Sequence, residues 1–393
     1  MARAPFRRKS GTRETSQLVR LAEGLSRSKS RTEDVYWEHE LERAVLALLE
    51  AGDDEAINRA LDRAHDGPSG VFDTLADVVE SLSESMTFTT EAGPQRLALF
   101  CAPILAWGRT KIPARALPAN VLRDLSVQLG AHIFADGVRF ALCDYLFAPD
   151  QLPASYSQTR ELLGELKAAI ASGRPLKMDP KQLGEAPDVV CDMRMIVGAV
   201  QAPVEAPLYA WQIMTTPIEE AMKSALEAWR AQGGAVLKPL LVGFPFQMEL
   251  PRTFFGACRE ADLSLRAYSI GAGVAYLEAM TQTPPTHLTA TVGGCWGNGL
   301  EEYRIGFSIG NATEVAHGCV WPLVTGEDDE TQTLDAIEAA LKSAGVGNIV
   351  ILSDRLPLEF CDDCGAPYYP NRDGEMLHAE LPDAAEGASV HLH

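Results

Sequence analysis

At 393 residues, with 46% hydrophobic and 22% charged residues, the chain has room for two or three packed units at roughly 150 residues each. That composition excludes a disordered chain, which lacks the apolar surface to offset its own ordering entropy. A formal net charge of −20 repels nucleic acid and anionic membranes, so no large nucleic-acid footprint is expected.

The longest apolar run, Leu97 to Trp107, is broken by Pro103 and is about half the roughly 20 residues a membrane-spanning helix needs. The amino terminus is basic but has no apolar stretch of signal-peptide type. The chain is therefore expected to stay in the cytoplasm. Six of the eight cysteines (Cys101, Cys143, Cys191, Cys258, Cys295 and Cys319) are scattered singly through apolar surroundings. That is the usage of free thiols in a reducing compartment rather than of a disulfide framework.

Met1 to Arg31 hold nine Lys or Arg against Glu14 and Glu23, about +7, which leaves the rest of the chain near −27. Residues 1–32 read as a basic flexible arm with a helix around Gln17 to Leu25. The arm is the one segment from which RNA association is expected, if the chain has any. Residues 33–90 read as a helical cap, because Leu41, Ala44, Val45, Leu48 and Leu49 fall at helical spacing, Ala56 to Ala64 repeat it after Gly52-Asp53-Asp54, and Val71 to Ser83 follow suit.

The rhythm then becomes α/β. Residues 91–180 form a first block: strand Leu97–Leu105, helix Ala119–Ile133, strand Val138–Leu146, helix Ser155–Ser172 closed by Gly173. The stretch from Pro175 to Pro187 is the expected domain boundary. A second block, residues 188–355, runs strand Val189–Val197, helix Ile218–Gln232, strand Val236–Phe244, helix Arg252–Ala261 and strand Leu263–Ile270. An antiparallel hairpin, Leu288–Trp296 and Glu302–Ile309, follows about Gly297-Asn298-Gly299, whose residues tolerate positive φ. Val315 to Val324 add a strand, Asp335–Ala344 a helix and Asn348–Leu352 a buried strand. The fold class is thus α/β, turning to α+β toward the carboxyl end. It comprises two strand-helix-strand blocks, the helical cap, a zinc-knuckle-like β hairpin over residues 356–382, and an acidic flexible tail over residues 383–393.

The sharpest motif is Cys361-Asp362-Asp363-Cys364-Gly365. Two cysteines separated by two residues can place both thiolates on one metal ion, and the glycine permits the tight turn that aims backbone amides at sulfur. Dithiol redox chemistry fits less well, because Gly365, Pro367 and Pro370 argue against the following helix that would lower a thiol pKa. Asn371-Arg372-Asp373-Gly374 read as a turn that folds Glu375 to Leu381 back along Ala366 to Pro370. That brings His378 and Glu380, on one strand face, toward the knuckle. His378 is the expected third zinc ligand. Glu380, His391 or His393, or a distant pair such as His317 and Cys319, would complete the four a structural zinc takes; otherwise the knuckle keeps its shape without metal.

Gly306-Phe307-Ser308-Ile309-Gly310 matches the G-x-S-x-G pattern of hydrolases, which makes Ser308 a candidate nucleophile. A nucleophile elbow needs a strand, a sharp turn and a helix, whereas Ser308 falls inside an alternating strand. A small-residue strand packed against a close neighbour is the simpler account. Gly271-Ala272-Gly273 begins like a dinucleotide fingerprint, but Tyr276 stands where the third glycine belongs. His39, His65, His132 and His287 have no partner at ligand spacing.

The segment Asp354-Arg355-Leu356-Pro357-Leu358-Glu359-Phe360 running into the Cys361 knuckle, together with Gly374-Glu375, His378-Ala379-Glu380 and Cys101 to Trp107, resembles a proteobacterial family known as domain of unknown function 2863. The resemblance covers most of the chain after about Val35. It implies an intracellular protein and brings no reaction with it. The expectation is a binding or regulatory protein with structural zinc and an unknown protein or small-molecule partner. The alternatives are a hydrolase-type enzyme using Ser308, an enzyme with a site at strand ends near Pro103 and Pro245, or an RNA-associated protein acting through residues 1–31.

Overall fold

A computed structural model of the chain describes residues 11–187, 189–324, 327 and 330–382. Helices and sheets mix throughout, as the α/β expectation requires. Among the described residues no helix is long and apolar enough to cross a membrane.

Four helices open the chain: α1 (Gly11–Arg27), α2 (Arg31–Ala51), α3 (Asp54–His65) and α4 (Val71–Glu84). Ser30 and Asp53 cap α2 and α3 by accepting the N–H groups of Glu33 and Ala56, which satisfies amides a helix start leaves unpaired. The expected solvated arm is, from Gly11 on, a packed helix. Leu18, Leu21 and Ala22 of α1 are buried against Leu41, Val45, Ile57 and Leu75. The basic residues misled because Arg20 and Arg27 occupy the solvent side of the same helix, so a +7 segment can still carry a buried apolar stripe.

The first sheet joins β1 (Ser85–Thr90), β2 (Gly93–Trp107), β3 (Arg115–Ala116), β4 (Arg139–Phe147) and β5 (Cys191–Pro203) in the antiparallel order β1-β2-β5-β4-β3. Helices α5 (Ala119–His132) and α6 (Tyr156–Ser172) lie on opposite faces of it. β2 shows why. Its Ala98, Phe100, Ala102 and Ile104 join the core under α5, while Leu97, Leu99, Cys101 and Leu105 join the core under α6. A strand buried on both faces loses polar alternation. β5 sits between β2 and β4, so the stretch from Pro175 to Pro187 does not separate two sheets and the two expected blocks share one.

Further on come α7 (Ile218–Ala228), α8 (Gly234–Leu237), β6 (Phe246–Met248), β7 (Arg252–Thr253) and α9 (Phe254–Thr281). Two expected strands are absent here. Val236 to Phe244 instead continue α8 into tight turns, with Leu237 and Leu241 buried one helical turn apart and Val242 76% exposed. Pro239 and Pro245 remove the donors a strand needs. Leu263 to Ile270 lie inside α9, whose buried Ala257, Ala261, Ile270, Val274 and Leu277 follow the helical period. A short apolar run is ambiguous between the two periods. Gly271 and Gly273 are therefore mid-helix residues, with no phosphate-binding turn around them.

The strand-end site near Pro103 and Pro245 is not formed. Pro103 pairs with Met195 in the middle of β2. The Pro245 carbonyl accepts the Trp107 N–H and the Tyr268 hydroxyl.

The second sheet contains β8 (Leu288–Trp296), β9 (Leu300–Ile309), β10 (His317–Pro322), β11 (Asn348–Ile351) and β12 (Leu356–Pro357), ordered β10-β9-β8-β11 with β12 also on β8. The expected hairpin is β8–β9, and β11 pairs with β8 in parallel. The intervening α10 (Glu330–Ser343) and the second half of α9 cover one face, through Ile337, Leu341, Ile270 and Val274. A hairpin of β13 (Tyr369–Pro370) and β14 (Met376–Leu377) covers the other.

This second face explains the G-x-S-x-G pattern. A Cβ on Gly306 would lie 2.2 Å from the Pro370 carbonyl oxygen, and one on the paired Gly318 would lie 2.3 Å from the Tyr369 ring. Both glycines are small because the carboxyl-terminal hairpin rests directly on them. Gly306→Ala is expected to push that hairpin off the sheet at a cost of about 1–3 kcal/mol, read as a lower urea midpoint. An unchanged midpoint would show that the hairpin does not rest there.

Candidate metal centre

The knuckle forms because Gly365, at φ +74°, turns the chain back immediately after Cys364. A left-handed backbone of this kind disfavours residues carrying a Cβ. The Gly365 N–H donates to the Cys361 carbonyl and the Cys361 N–H to the Ala366 carbonyl, both at 2.8 Å. The loop delivers amide protons to sulfur. The backbone N–H of Cys364, then that of Asp363, hold the Cys361 thiol below its ordinary range, assisted by the Cys364 and Tyr368 side chains and opposed by slight desolvation. Asp363 thus favours the thiolate through its amide.

The turn at Asn371 returns the chain. The Asn371 carboxamide oxygen accepts the N–H groups of Asp373 and Glu375 at 3.0 Å, while its amide donates to the Thr313 carbonyl at 3.2 Å. Asn371 is fully buried and so pins the hairpin tip to the loop before β10. From this turn β14 brings His378 over the knuckle, with Nε2 3.3 Å from the Cys364 Sγ.

One donor atom from each of Cys361, Cys364 and His378 lies within 4.8 Å of the others. Two sulfurs and one imidazole nitrogen at this separation suit a tetrahedral zinc ion, which binds thiolate and histidine at about 2.3 and 2.0 Å. The three can hold a metal. Glu380 does not join them. Its Oε1 lies 3.6 Å from Nδ1, the far nitrogen of His378, where a carboxylate orients a ligating ring instead of binding the ion.

His317 and Cys319 are placed elsewhere as well. They face α9, where a Cβ on Gly273 would lie 2.8 Å from the His317 ring and 3.2 Å from the Cys319 sulfur. His391 and His393 lie outside the described residues, so among the described residues the donor set stops at three. Ser308 is 4% exposed near the end of β9, and its hydroxyl donates to the Glu314 carbonyl at 2.8 Å. It has no elbow and no access.

A buried arginine holds the knuckle on the sheet, and nothing in the sequence marked it. Arg304 of β9 is fully enclosed. It donates through Nε to Glu302 at 2.6 Å, and through one terminal nitrogen to the carbonyls of Glu359 and Tyr368, on either side of the two cysteines. The Phe360 ring stacks over it with its centroid 4.8 Å away.

Beside these three donors runs a groove of about 810 Å³. Its walls come from Val189 to Cys191, from α9 (Asp262, Leu265, Ser269) and from β10, with Cys364, His378 and Leu381 on the remaining side. β10 is the edge strand of its sheet, which is why the side of the sheet is open here. His317 lines this groove, half-buried against the rings of Tyr276 and Phe307. Burial pushes its pKa down from 6.5 to about 4. The unfolded chain therefore binds the proton more readily. The stabilising contribution of neutral His317 is complete above about pH 6.5 and is lost as pH falls through 4, by about 3 kcal/mol in all. His317→Phe is expected to flatten this part of the stability profile between pH 6.5 and 4; an unchanged slope would assign the loss to other groups.

The sequence model of a family described as a protein of unknown function, DUF2863, matches residues 4–392. The chain belongs to this family. The match reaches well before Val35, so α1 and the helical cap are part of the DUF2863 unit. No curated protein matches the chain, and no solved structure does. Membership in DUF2863 therefore assigns no reaction.

Proposed function

We propose that this DUF2863 member is a cytoplasmic binding protein whose carboxyl-terminal hairpin is clipped together by one structural zinc ion. The observation that carries the reading is the convergence of Cys361, Cys364 and His378 within 4.8 Å. Two donors stand on the knuckle and the third on the returning strand, so an ion between them closes the hairpin. A two-strand hairpin of this length is marginal in water without such support. Glu380 supports the role, since its carboxylate stands 3.6 Å from Nδ1, on the side of the ring away from sulfur.

The groove of about 810 Å³ falls within the size range of ligand sites. Cys364 and His378 on its wall tie the zinc to the shape of the place where a small molecule or a peptide would bind. The expected partner is of that kind rather than a membrane, and nucleic acid is expected only through residues 1–31, if at all. The buried Ser308 supports a binding role over a hydrolase.

Hydrogen exchange over residues 356–382, with and without a chelator, tests the reading. Protection is expected to collapse in this segment while the amides of β2 and β5 keep theirs. Equal protection with and without chelator would sink it.

A further inference from the structure

An antiparallel pair alternates between residues that exchange hydrogen bonds and residues whose N–H and C=O groups point away from the partner strand. Just past β10 the Leu323 N–H donates to the Glu301 carbonyl at 3.1 Å, and the register sets Trp321 against Tyr303, Cys319 against Ile305 and His317 against Phe307. These three residues of β10 therefore bond β9, while Gly318, Val320 and Pro322 turn their backbone groups outward. Pro322 fits that assignment, because an outward edge position asks for no N–H. Its carbonyl accepts a terminal nitrogen of Arg266 at 3.0 Å. The N–H and C=O groups of Gly318 and Val320 meet no such partner among the described residues, although both residues are half-buried. Enclosed backbone polar groups are nearly always paired.

Both residues line the groove. His317, Gly318, Cys319 and Val320 follow one another along its wall, and successive strand residues point to opposite faces, so the groove runs along the edge of β10. On one side stands α9, against which His317 and Cys319 pack; on the other stands the hairpin, whose Tyr369 ring lies against Gly318. Val189 and Val324, which also line it, are exposed apolar side chains. Free donors and acceptors along one wall and apolar side chains on the others suit an added strand.

Charge selects among strands. Arg266 is committed to Glu327 at 2.7 and 2.9 Å. Asp262 lines the α9 wall with neither a hydrogen bond nor an ion pair among the described residues. Burial alone raises its pKa, with no cation to offset it. A lysine or arginine on the α9 side of an added strand meets an unbalanced carboxylate there, whereas an aspartate or glutamate is repelled.

We propose that β10 takes up an extended, lysine- or arginine-bearing segment of a partner protein as an added strand, hydrogen-bonded to Gly318 and Val320 with its basic side chain at Asp262. This deepens the groove reading above, on which it rests, and does not depend on the metal.

The probe is a blocked peptide of about eight residues, an ordinary strand length, in which lysine alternates with valine; its control has glutamate in place of lysine. Each carries a fluorophore and is titrated into the full chain by anisotropy, and amide exchange is followed in the complex. The lysine peptide is expected to bind on the order of tenfold or more tightly than the glutamate peptide, and to slow exchange at Gly318 and Val320. Val320→Pro is expected to abolish binding with the thermal midpoint unchanged, because the lost N–H is an outward one. Asp262→Lys is expected to reverse the preference between the peptides. Binding that leaves exchange at Gly318 and Val320 unchanged would overturn the added strand and leave the groove reading standing. An equal affinity for both peptides, or the same preference in Asp262→Lys, would overturn the basic partner. Binding of neither peptide would overturn the inference as a whole, whereas the zinc reading fails only on the chelator experiment above. A dimeric parent whose Gly318 and Val320 amides are already protected would assign the edge to a second copy and overturn it as well.

Discussion

Arg304→Ala is expected to destabilise the protein by about 3–5 kcal/mol, the usual cost of removing one partner from a buried charge network. The guanidinium has no exposed surface and is the common donor for Glu302, for the carbonyls of Glu359 and Tyr368, and for the face of Phe360. Alanine would leave the Glu302 carboxylate and both carbonyls facing a cavity. Arg304→Lys is expected to recover little of the loss, because an ammonium on a flexible stem cannot serve several fixed directions as the planar guanidinium does. The loss has a place as well as a size. Residues 359 and 368 bracket the two cysteines, so limited proteolysis of the variant is expected to cut first between 356 and 382. Cleavage beginning in the helical cap would show that the arginine stabilises something other than the knuckle.

Much of the path from sequence to this architecture was legible, and the failures have particular causes. β2 was readable because a doubly buried strand is apolar at every position, and its two faces feed separate cores. The β8–β9 hairpin was readable from Gly297-Asn298-Gly299. α9 was cut into a helix and a strand because Leu263, Leu265 and Ala267 alternate locally while the buried set only shows its helical period over 28 residues. The nine basic residues of Met1 to Arg31 read as a flexible arm around a helix at Gln17 to Leu25, because net charge does not show which side of a helix it occupies.

At the site, Cys361, Cys364 and His378 were legible because 18 residues of knuckle and turn suffice to bring them together. Glu380 shares the face of His378, as strand alternation requires, but meets the other ring nitrogen. Arg304 and the groove could not be read. Their partners lie 55 and 64 residues away in the first case and on separate elements in the second, and backbone carbonyls leave no mark in a sequence.

The second large effect is expected from the Cys361→Ser, Cys364→Ser variant. Zinc in small modules contributes on the order of 10 kcal/mol to folding the segment that binds it. Most of that is local. The two cores of the first sheet and the helical cap contain none of the three donors, so the variant is expected to keep its far-ultraviolet spectrum while residues 356–382 lose their order. Unfolding of the entire chain would mean that the hairpin is integral to the second sheet rather than clipped onto it.

The most direct test of the central claim is the metal content of the purified full-length protein measured beside that variant. The account predicts about one zinc per chain in the parent and none in the variant. No stoichiometric metal in the parent, or the same content in both proteins, would contradict it.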